Sequence, residues 1–354
     1  MRKRVAVICG GRSSEHEVSC ISAGSVFQAI DRNLYEPILI GITKGGRWVL
    51  VPESHQMSIS GGVLPEVPEN GQPVASGANG LSVNGESLNI DLVFPVLHGP
   101  FGEDGTIQGF LEIADLPFVG SGVLASAVAM DKTFAKSIFA SHSIPVAAGV
   151  IVTKAEWEST SSAITVEISK LSYPVFVKPA RGGSSRGTIK VKSEAQLAPA
   201  IAEALTFDSK IIVEAAIVGK EIECAVLEVD GVAKASVVGE IVLDPRFEFY
   251  NFEAKYLADS TSLNVPAPID AAIAAKIQAL AIEAFTSLGC HGLARVDFFL
   301  TPQGDVLINE INTMPGFTST SVFPKLWEAS GIAYTQIITE LLKCAATRSN
   351  STLA

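Results

Sequence analysis

The sequence predicts an α/β protein that begins with an open parallel-sheet domain and continues into two lobes of α+β structure. Three observations predict this class. Short apolar segments alternate with helix-length amphipathic segments, which is typical of α/β layering. A glycine-rich loop joins two strand-like segments in the middle of the chain, and charged side chains interrupt two apolar strands near its C-terminal end.

Length and composition restrict the possible functions. At roughly 150 residues per domain, 354 residues predict two or three domains. Apolar residues make up 47 % and charged residues 18 %, so a sizeable core is available and global disorder is excluded. The formal net charge of −11 opposes binding to a phosphate backbone, so we expect no nucleic-acid partner.

Cysteine usage and hydropathy indicate the compartment. The five cysteines are scattered and show no CxxC spacing, which favours reduced thiols over a disulfide framework or a zinc site. The apolar run at residues 5–9 is too short for a signal peptide, and no stretch of 18 uninterrupted apolar residues occurs. We therefore expect a cytoplasmic protein with no membrane partner.

The first domain is predicted over residues 1–124. Its strands would alternate with a helix at 17–30, and residues 52–80, rich in Gly, Pro, Ser and Asn, read mainly as a surface insertion. Asn84-Gly85 suits the type I′ turn of a hairpin at 81–88. The predicted strands of this domain span 4–9, 36–42 and 91–97.

The second and third domains are predicted over residues 125–219 and 220–346, followed by a frayed polar tail at 347–354. A helix is expected at 125–141 in the second domain and another at 270–288 in the third. The predicted strands span 147–152, 173–179, 188–191 and 210–214 in the second domain, and 221–228, 295–300 and 305–311 in the third.

Lys178 and the loop at 180–187 form a candidate phosphate site. Flexible glycines between two strands can fold over phosphates and donate backbone N–H groups, while the lysine supplies positive charge. The loop is not a Walker A motif, because no GxxxxGK[ST] pattern occurs. On the loop alone, an ordinary hairpin with an exposed lysine remains the alternative.

A candidate metal site lies on the two C-terminal strands. Residues two apart in a strand share a face, so Arg295 and Asp297 point one way, as do Glu310 and Asn312. Antiparallel pairing would bring Asp297, Glu310 and Asn312 together, and three oxygen ligands on a rigid sheet suit Mg²⁺. The alternative is a sheet face with solvated charges.

Two weaker patterns complete the candidate site. The segment 214–221 begins and ends with a glutamate, and its free backbone groups would hold an adenine edge while Glu221 accepts from ribose hydroxyls. Gly316, directly after the metal strand, permits close approach of the backbone, and its amide together with Arg295 would stabilise an oxyanion. The alternative for this second pattern is a loop that starts a helix.

Together and in this order, these motifs resemble the ATP-grasp fold, and within it the D-alanine:D-alanine ligase family. The resemblance runs from Val5 to about Leu342. Further segments resemble the first substrate loop, the second signature, a phosphate-binding lysine, a mobile loop and the last signature of that family. These segments are residues 10–19, 98–109, 130–132, 253–256 and 309–316.

The resemblance implies a role for each matching residue. ATP phosphates would be held by Lys132 and Lys178 beneath the glycine-rich loop, and two Mg²⁺ ions, replaceable by Mn²⁺, by Asp297, Glu310 and Asn312. The implied catalytic set is Glu15, Ser184, Tyr256, Arg295, Gly316 and Ser321; the nucleotide set adds Gly183, Ser185, Glu214, Ala216, Ile217, Glu221 and Lys255; and the substrate set is Glu15, His98, Ser321 and Val322.

The implied activity is ligation of two D-alanine molecules through a D-alanyl phosphate, at the expense of ATP, for peptidoglycan precursors. Relatives are commonly homodimers, so the resemblance also implies that state. Tyr256 favours an amine over D-lactate as second substrate. The alternatives are D-alanine:D-lactate and D-alanine:D-serine ligases, a non-catalytic nucleotide-binding protein and, least favoured, a biotin-dependent carboxylase.

Overall fold

A computed structural model of the chain describes residues 2–77, 80–244 and 261–347. Three sheets of seven, four and five strands follow one another along the sequence, with helices packed against them. The predicted α/β class, with α+β lobes after the first sheet, is confirmed.

The first sheet has a parallel core that is extended by antiparallel strands. β1 pairs in parallel with both β2 and β7, as expected for an open parallel sheet. Strands β3 to β6 extend one side, and β4 lies inside the segment read as an insertion. The sequence hid β4 because only Val74 of its six residues is buried, so no apolar alternation marks it. The strands are β1 (Lys3–Gly10), β2 (Tyr35–Ile42), β3 (Trp48–Leu50), β4 (Gln72–Gly77), β5 (Gly80–Val83), β6 (Glu86–Ser87) and β7 (Leu92–Pro95).

The turn predicted between β5 and β6 is present. Asn84 and Gly85 both have positive φ, at 52° and 85°, as a type I′ turn requires.

The carboxyl ends of β1 and β7 lie side by side, and the loops that follow them reach the same edge of the sheet. These loops lead into helices α1 (His16–Ala29) and α2 (Thr106–Ile113). In open α/β sheets this edge is where ligands bind.

The helix predicted at 125–141 is two helices, α3 (Val123–Met130) and α4 (Lys132–Ser141). Asp131 between them is extended, and its side chain accepts hydrogen bonds from the amides of Thr133 and Phe134. This N-cap stabilises the break, because an aspartate at such a position satisfies amides that a continuous helix would bond internally. Lys132 is therefore the first residue of α4.

The second sheet is antiparallel throughout, with the spatial order β10-β9-β11-β8. The glycine-rich loop joins β9 to its neighbour β10, as predicted. The elements are β8 (Gly149–Thr153), α5 (Lys154–Ser169), β9 (Val175–Pro179), β10 (Ile189–Val191), α6 (Leu197–Ala204) and β11 (Lys210–Ala215).

The third sheet has the spatial order β14-β13-β12-β15-β16 in the described residues, two strands more than predicted. β13 was not predicted because its sequence contains Ala, Lys and Gly, which are uncommon in strands. Its residues are buried by tertiary packing against the neighbouring strands and helices. The elements are β12 (Lys220–Val229), β13 (Val232–Leu243), β14 (Thr261–Asn264), α7 (Ala271–Ser287), β15 (Leu293–Leu300), β16 (Val306–Asn312), α8 (Val322–Ala329) and α9 (Tyr334–Thr347).

The core under the first sheet is shared with the C-terminal helices. Val5, Val7 and Phe94 belong to one buried cluster with Phe317 and Phe323, and the Phe94 and Phe317 rings lie 5.7 Å apart. This packing brings the loop after β16 beside the loops after β1 and β7.

No helix in the described ranges is both long and apolar enough to cross a membrane. The cysteines, all within those ranges, are free thiols.

Candidate active site

Two cavities meet at a wall formed by Lys132, Gly182 and Glu310. One, of about 290 Å³, is lined by the loops of the first sheet, and we call it the amino-acid cavity. The other, of about 360 Å³, lies between the second and third sheets, and we call it the nucleotide cavity. Most sequence-predicted site residues line one of the two.

The two C-terminal strands pair as the sequence predicted. β15 and β16 are antiparallel, with Asp297 opposite Glu310 and Arg295 opposite Asn312. The four side chains therefore share one face of the sheet. Glu310 lines both cavities, Asp297 lines the nucleotide cavity, and Arg295 and Asn312 line the amino-acid cavity. The antiparallel pairing expected of the two strands is confirmed, and the role of Asp297, Glu310 and Asn312 as metal ligands stays a prediction.

Arg295 is held by carboxylates on both sides. Its Nε and Nη2 donate to the two oxygens of Asp297, each at 2.7 Å, and Nε lies 3.1 Å from Glu223 Oε2. Glu223 is 4 % exposed and lies opposite Asp297 on β12, so it belongs to the site although the sequence reasoning missed it. The sequence pattern that could have identified Glu223 is the alternation of Glu221 and Glu223 with apolar residues on β12.

Lys132 connects the two lobes at the wall. Its Nζ donates to the Gly182 carbonyl at 2.8 Å and lies 3.3 Å from Glu310 Oε2.

Among the described residues no cluster of three or more His, Cys, Asp or Glu is arranged to hold a metal ion. Two carboxylates and the Asn312 amide nevertheless fit Mg²⁺, which typically takes one or two protein carboxylates and completes its shell with water and substrate phosphate.

The nucleotide cavity rests on a buried charge cluster. Glu214, 2 % exposed, is bonded through Oε1 to Lys136 and through Oε2 to Lys178, the latter at 2.8 Å. Burial alone would raise the pKa of Glu214, but the two ammonium groups outweigh it and lower that pKa to about 2. Burial lowers the pKa of Lys136. Lys136 was missed by the sequence reasoning, since a lysine within a helix carries no distinctive signal.

The rest of the nucleotide wall follows the prediction in part. Ala216, Ile217, Glu221 and Ser185 line this cavity. Glu214 lines it too, but both of its oxygens are bonded to lysines rather than directed at an adenine. Lys255 lies outside the described residues.

Glu15 lies in a slot that only glycines leave open. It is 6 % exposed, and Cβ atoms added at Gly99 and Gly183 would stand 2.5 and 3.2 Å from its Oε2. Ser184 donates a hydrogen bond to Glu15 Oε1, so the glycine-rich loop and the first substrate loop are joined. Tyr256, expected in the same hydrogen-bonded set, lies outside the described residues.

Glu103 is a second carboxyl group in the amino-acid cavity. It accepts a hydrogen bond of 2.5 Å from the Gly99 amide. Burial and then the negative charge of Glu15 raise the pKa of Glu103 to about 8. The sequence reasoning placed Glu103 inside a signature and gave it no role.

His98 lies on the wall of the amino-acid cavity with both ring nitrogens bonded to protein. Nδ1 lies 2.9 Å from the Met314 carbonyl and Nε2 lies 3.2 Å from Ser22 Oγ. Burial lowers the pKa of His98. Its ring therefore fastens the loop after β7 to the loop after β16.

The far end of the amino-acid cavity is the N-terminus of α8. Ser321 is the N-cap, Val322 is the first helical residue, and both line the cavity with Gly316. Ser321 Oγ accepts a hydrogen bond of 3.1 Å from the Thr318 amide. A helix N-terminus favours an anion such as a carboxylate.

Comparison with known proteins agrees with this arrangement. Residues 4–121 match the family described as D-ala D-ala ligase N-terminus, and residues 138–343 match D-ala D-ala ligase C-terminus. The D-alanine--D-alanine ligase of Paenarthrobacter aurescens is 49 % identical, over 98 % of this chain and 96 % of its own.

Solved structures with a similar fold also include enzymes of this kind. The VanG D-Ala:D-Ser ligase from Enterococcus faecalis has a TM-score of 0.86 at 37 % identity, covering 98 % of this chain and 100 % of its own. The D-alanine-D-alanine ligase from Coxiella burnetii has a TM-score of 0.83 at 33 % identity, covering 98 % and 94 %. With two matching family regions and a relative that is 49 % identical over nearly the whole chain, this protein belongs to the D-Ala-D-Ala ligase family.

Proposed function

We propose that the protein joins two D-alanine molecules into D-alanyl-D-alanine, with conversion of ATP to ADP and phosphate, for peptidoglycan precursor synthesis. The observation that carries the proposal is the meeting of the two cavities at Lys132 and Glu310. One cavity offers the Glu15 carboxylate for an ammonium group, and the other offers lysines for phosphates. A carboxylate between them would face a γ-phosphate.

The first step would form an acyl phosphate. Glu15 would pair with the ammonium of the first D-alanine, and the substrate carboxylate oxygen would attack the γ-phosphorus of ATP, with ADP as leaving group. Lys132 and Lys178 would neutralise the phosphates beneath amides of the loop that contains Gly183 and Ser185. Positioning and electrostatic stabilisation supply most of the catalysis in such a transfer.

The second step would form the peptide bond. The amine of the second D-alanine would attack the acyl carbon, lose a proton and displace phosphate. Arg295 and the Gly316 amide would stabilise the tetrahedral oxyanion, while Ser321 and the Val322 amide would bind the second carboxylate. Lys255 and Tyr256 are proposed to close over the site.

Two Mg²⁺ ions, replaceable by Mn²⁺, are proposed to bind at Asp297, Glu310 and Asn312, where they would neutralise phosphate charge. Asp297 would first exchange its pairing with Arg295, and Glu310 its pairing with Lys132. The exchange keeps the charges paired, because ATP brings anionic oxygens for both released cations.

The remaining nucleotide contacts are also proposals. Ala216 and Ile217 would meet the adenine, and Glu221 the ribose hydroxyls. We assign Glu214 to holding Lys178 in place, since both its oxygens are engaged by lysines.

A D-alanine:D-serine ligase is the second candidate, because the VanG enzyme of that activity is 37 % identical with a TM-score of 0.86. Tyr256 favours an amine as second substrate and therefore opposes D-lactate, but it does not separate D-alanine from D-serine.

The test is phosphate release from ATP with D-alanine, L-alanine, D-serine or D-lactate, combined with mass identification of the product. We expect phosphate release and D-alanyl-D-alanine with D-alanine alone. A mixed D-alanyl-D-serine product in preference to the homodipeptide would favour the second candidate. Release with L-alanine only, or without any amino acid, would refute both.

We also propose three domains at 1–124, 125–219 and 220–346, a homodimer, and a cytoplasmic location. Each proposed domain contains one of the three sheets. Light scattering of the purified protein tests the dimer.

A further inference from the structure

The segment 57–67 packs against β1 and α1, the strand and the helix that flank the loop carrying Glu15. Most of it is exposed, but Met57 and Val67 are only 6 % and 4 % exposed. A Cβ at Gly24 of α1 would lie 2.7 Å from Met57 Cβ, and one at Gly10 would lie 2.6 Å from Val67 Cγ2. The contact surface is therefore closely fitted, unlike that of a loosely attached loop.

His16 joins this segment to the first substrate loop. The imidazole is 1 % exposed at the start of α1, directly after Glu15. The Val67 amide donates to Nε2 at 3.2 Å, and Nδ1 lies 2.8 Å from the Gly11 carbonyl. A carbonyl accepts and an amide donates, so this geometry requires the neutral ring with its proton on Nδ1. The Cys20 thiol, one turn along α1, faces the same ring. Burial alone would lower the pKa of His16, but the Cys20 sulfur and the Gly11 carbonyl outweigh it and raise that pKa, so the neutral ring of this geometry belongs to the pH range above it.

Further bonds fix the loop that His16 holds. The Gly10 amide donates to Ser19 Oγ at 2.8 Å, and the Glu15 amide donates to Ser13 Oγ at 3.1 Å. Ser13 Oγ in turn donates to the His98 carbonyl at 2.9 Å. Together with His16, these bonds fix both ends of the loop, so Glu15 enters its slot between Gly99 and Gly183 in one orientation.

We infer that His16 is a positioning residue for the first amino acid: as a neutral bridge between Val67 and Gly11, it ties the segment 57–67 to the loop that presents Glu15. This inference rests on the proposed function, because Glu15 is the proposed partner of the substrate ammonium. It also assigns a role to the segment 57–67, which supports the substrate loop although none of its residues lines the amino-acid cavity.

Kinetics of His16→Leu and His16→Gln test the bridge. Leucine removes both hydrogen bonds, and we expect the KM for the first D-alanine to rise about tenfold, with kcat within about threefold. Glutamine keeps an acceptor within reach of Val67 and should recover part of the loss. The KM for ATP should not change in either variant, because the nucleotide cavity lies beyond the wall.

Lys44→Met is the matched control. Lys44 joins the same two elements through Glu17 and Glu66 at 2.5 and 2.7 Å, but it is half exposed and does not hold the loop. We expect all its kinetic parameters within about twofold of the wild type, as for a surface ion pair. A loss of active fraction without a KM change in His16→Leu would show a role in folding only and overturn the inference.

A spectroscopic test needs no variant with reduced stability. Nitrogen NMR of the wild type labelled with ¹⁵N-histidine, recorded at alkaline pH because the pKa of His16 is raised, should show a ring protonated on Nδ1 and unprotonated on Nε2 that disappears in His16→Gln. His98, whose Nδ1 also faces a carbonyl, should give a second such ring that remains in the variant. A charged ring or an Nε2-protonated ring at His16 would overturn the inference. Absence of dipeptide synthesis in the wild type would instead refute the proposed function and leave the bridge itself intact.

Discussion

The two cavities shift the pKa of a buried carboxyl group in opposite directions. In the nucleotide cavity, the buried Glu214 carboxylate lies between Lys136 and Lys178, and these cations lower its pKa to about 2. In the amino-acid cavity, Glu103 and Glu15 are neighbours, and burial with the Glu15 charge raises the pKa of Glu103 to about 8. One wall is thus balanced by cations, whereas the other holds an acid that stays protonated at neutral pH.

This difference indicates the charge of the ligand group that each cavity can bind. The ammonium groups of the nucleotide cavity fit polyanionic phosphates, and the Glu15 carboxylate in the amino-acid cavity fits a substrate ammonium. Arg295 lies at the boundary, paired with Asp297 and Glu223, and so links the two electrostatic environments. Four substitutions test this contrast.

Glu214→Gln should have the largest effect, because it removes the buried carboxylate that pairs with both Lys136 and Lys178. We expect a loss of about 3–5 kcal/mol in the free energy of unfolding, measured by urea denaturation at pH 7. Because the folded-state pKa is lowered from 4.5 to about 2, the wild type should keep this stabilisation above pH 4.5 and lose it as the pH falls towards 2.

The control for Glu214→Gln is the double variant with Lys136→Met, which removes one of the two stranded cations. It should recover part of the lost free energy, since neighbouring charges do not contribute additively. Equal stability of Glu214→Gln and the wild type would show that the cluster is not energetically coupled.

Arg295→Ala should lower turnover by roughly a hundredfold or more, because it removes the proposed oxyanion donor at the boundary. Steady-state kinetics with saturating ATP and D-alanine measure this loss. Arg295→Lys keeps the charge but not the two-pronged pairing with Asp297, so it should recover little. Near-normal turnover of Arg295→Ala would remove the residue from the oxyanion role.

Glu15→Gln should raise the KM for the first D-alanine by about 10- to 100-fold, since a charge-assisted hydrogen bond contributes about 1.5–3 kcal/mol. The KM for ATP should stay unchanged, because Lys132 and Gly182 separate the cavities. A parallel rise in both KM values would argue against two independently built walls.

Glu103→Gln should have the smallest effect, and it depends on pH. Since the folded-state pKa of Glu103 is raised from 4.5 to about 8, the wild type should lose stability as the pH rises from about 5 to 8. Glutamine mimics the protonated acid, so the variant should lack this decline, which is on the order of 1–2 kcal/mol for a partly exposed group. Urea denaturation at pH 5.5 and 8 measures it; parallel declines in both proteins would contradict the raised pKa.

The sequence predicted most of what depends on local pattern. Alternation on β15 and β16 placed Asp297 and Glu310 on one face, and the turn residues Asn84-Gly85 placed the hairpin. It misjudged elements whose local signals are weak, such as β4 and β13, and it merged two helices that the Asp131 cap separates.

By itself, the sequence determined the order of the three sheets and the face on which the acidic residues of the last two strands lie, because these follow from strand periodicity and glycine placement. Only the tertiary structure decided the charge environment. Glu214 lies between Lys136 and Lys178, Glu103 beside Glu15, and His16 beneath Val67, through contacts between residues far apart in the chain or in different elements. Protonation depends on burial and on charges within a few ångströms, and no periodicity in the sequence records those distances.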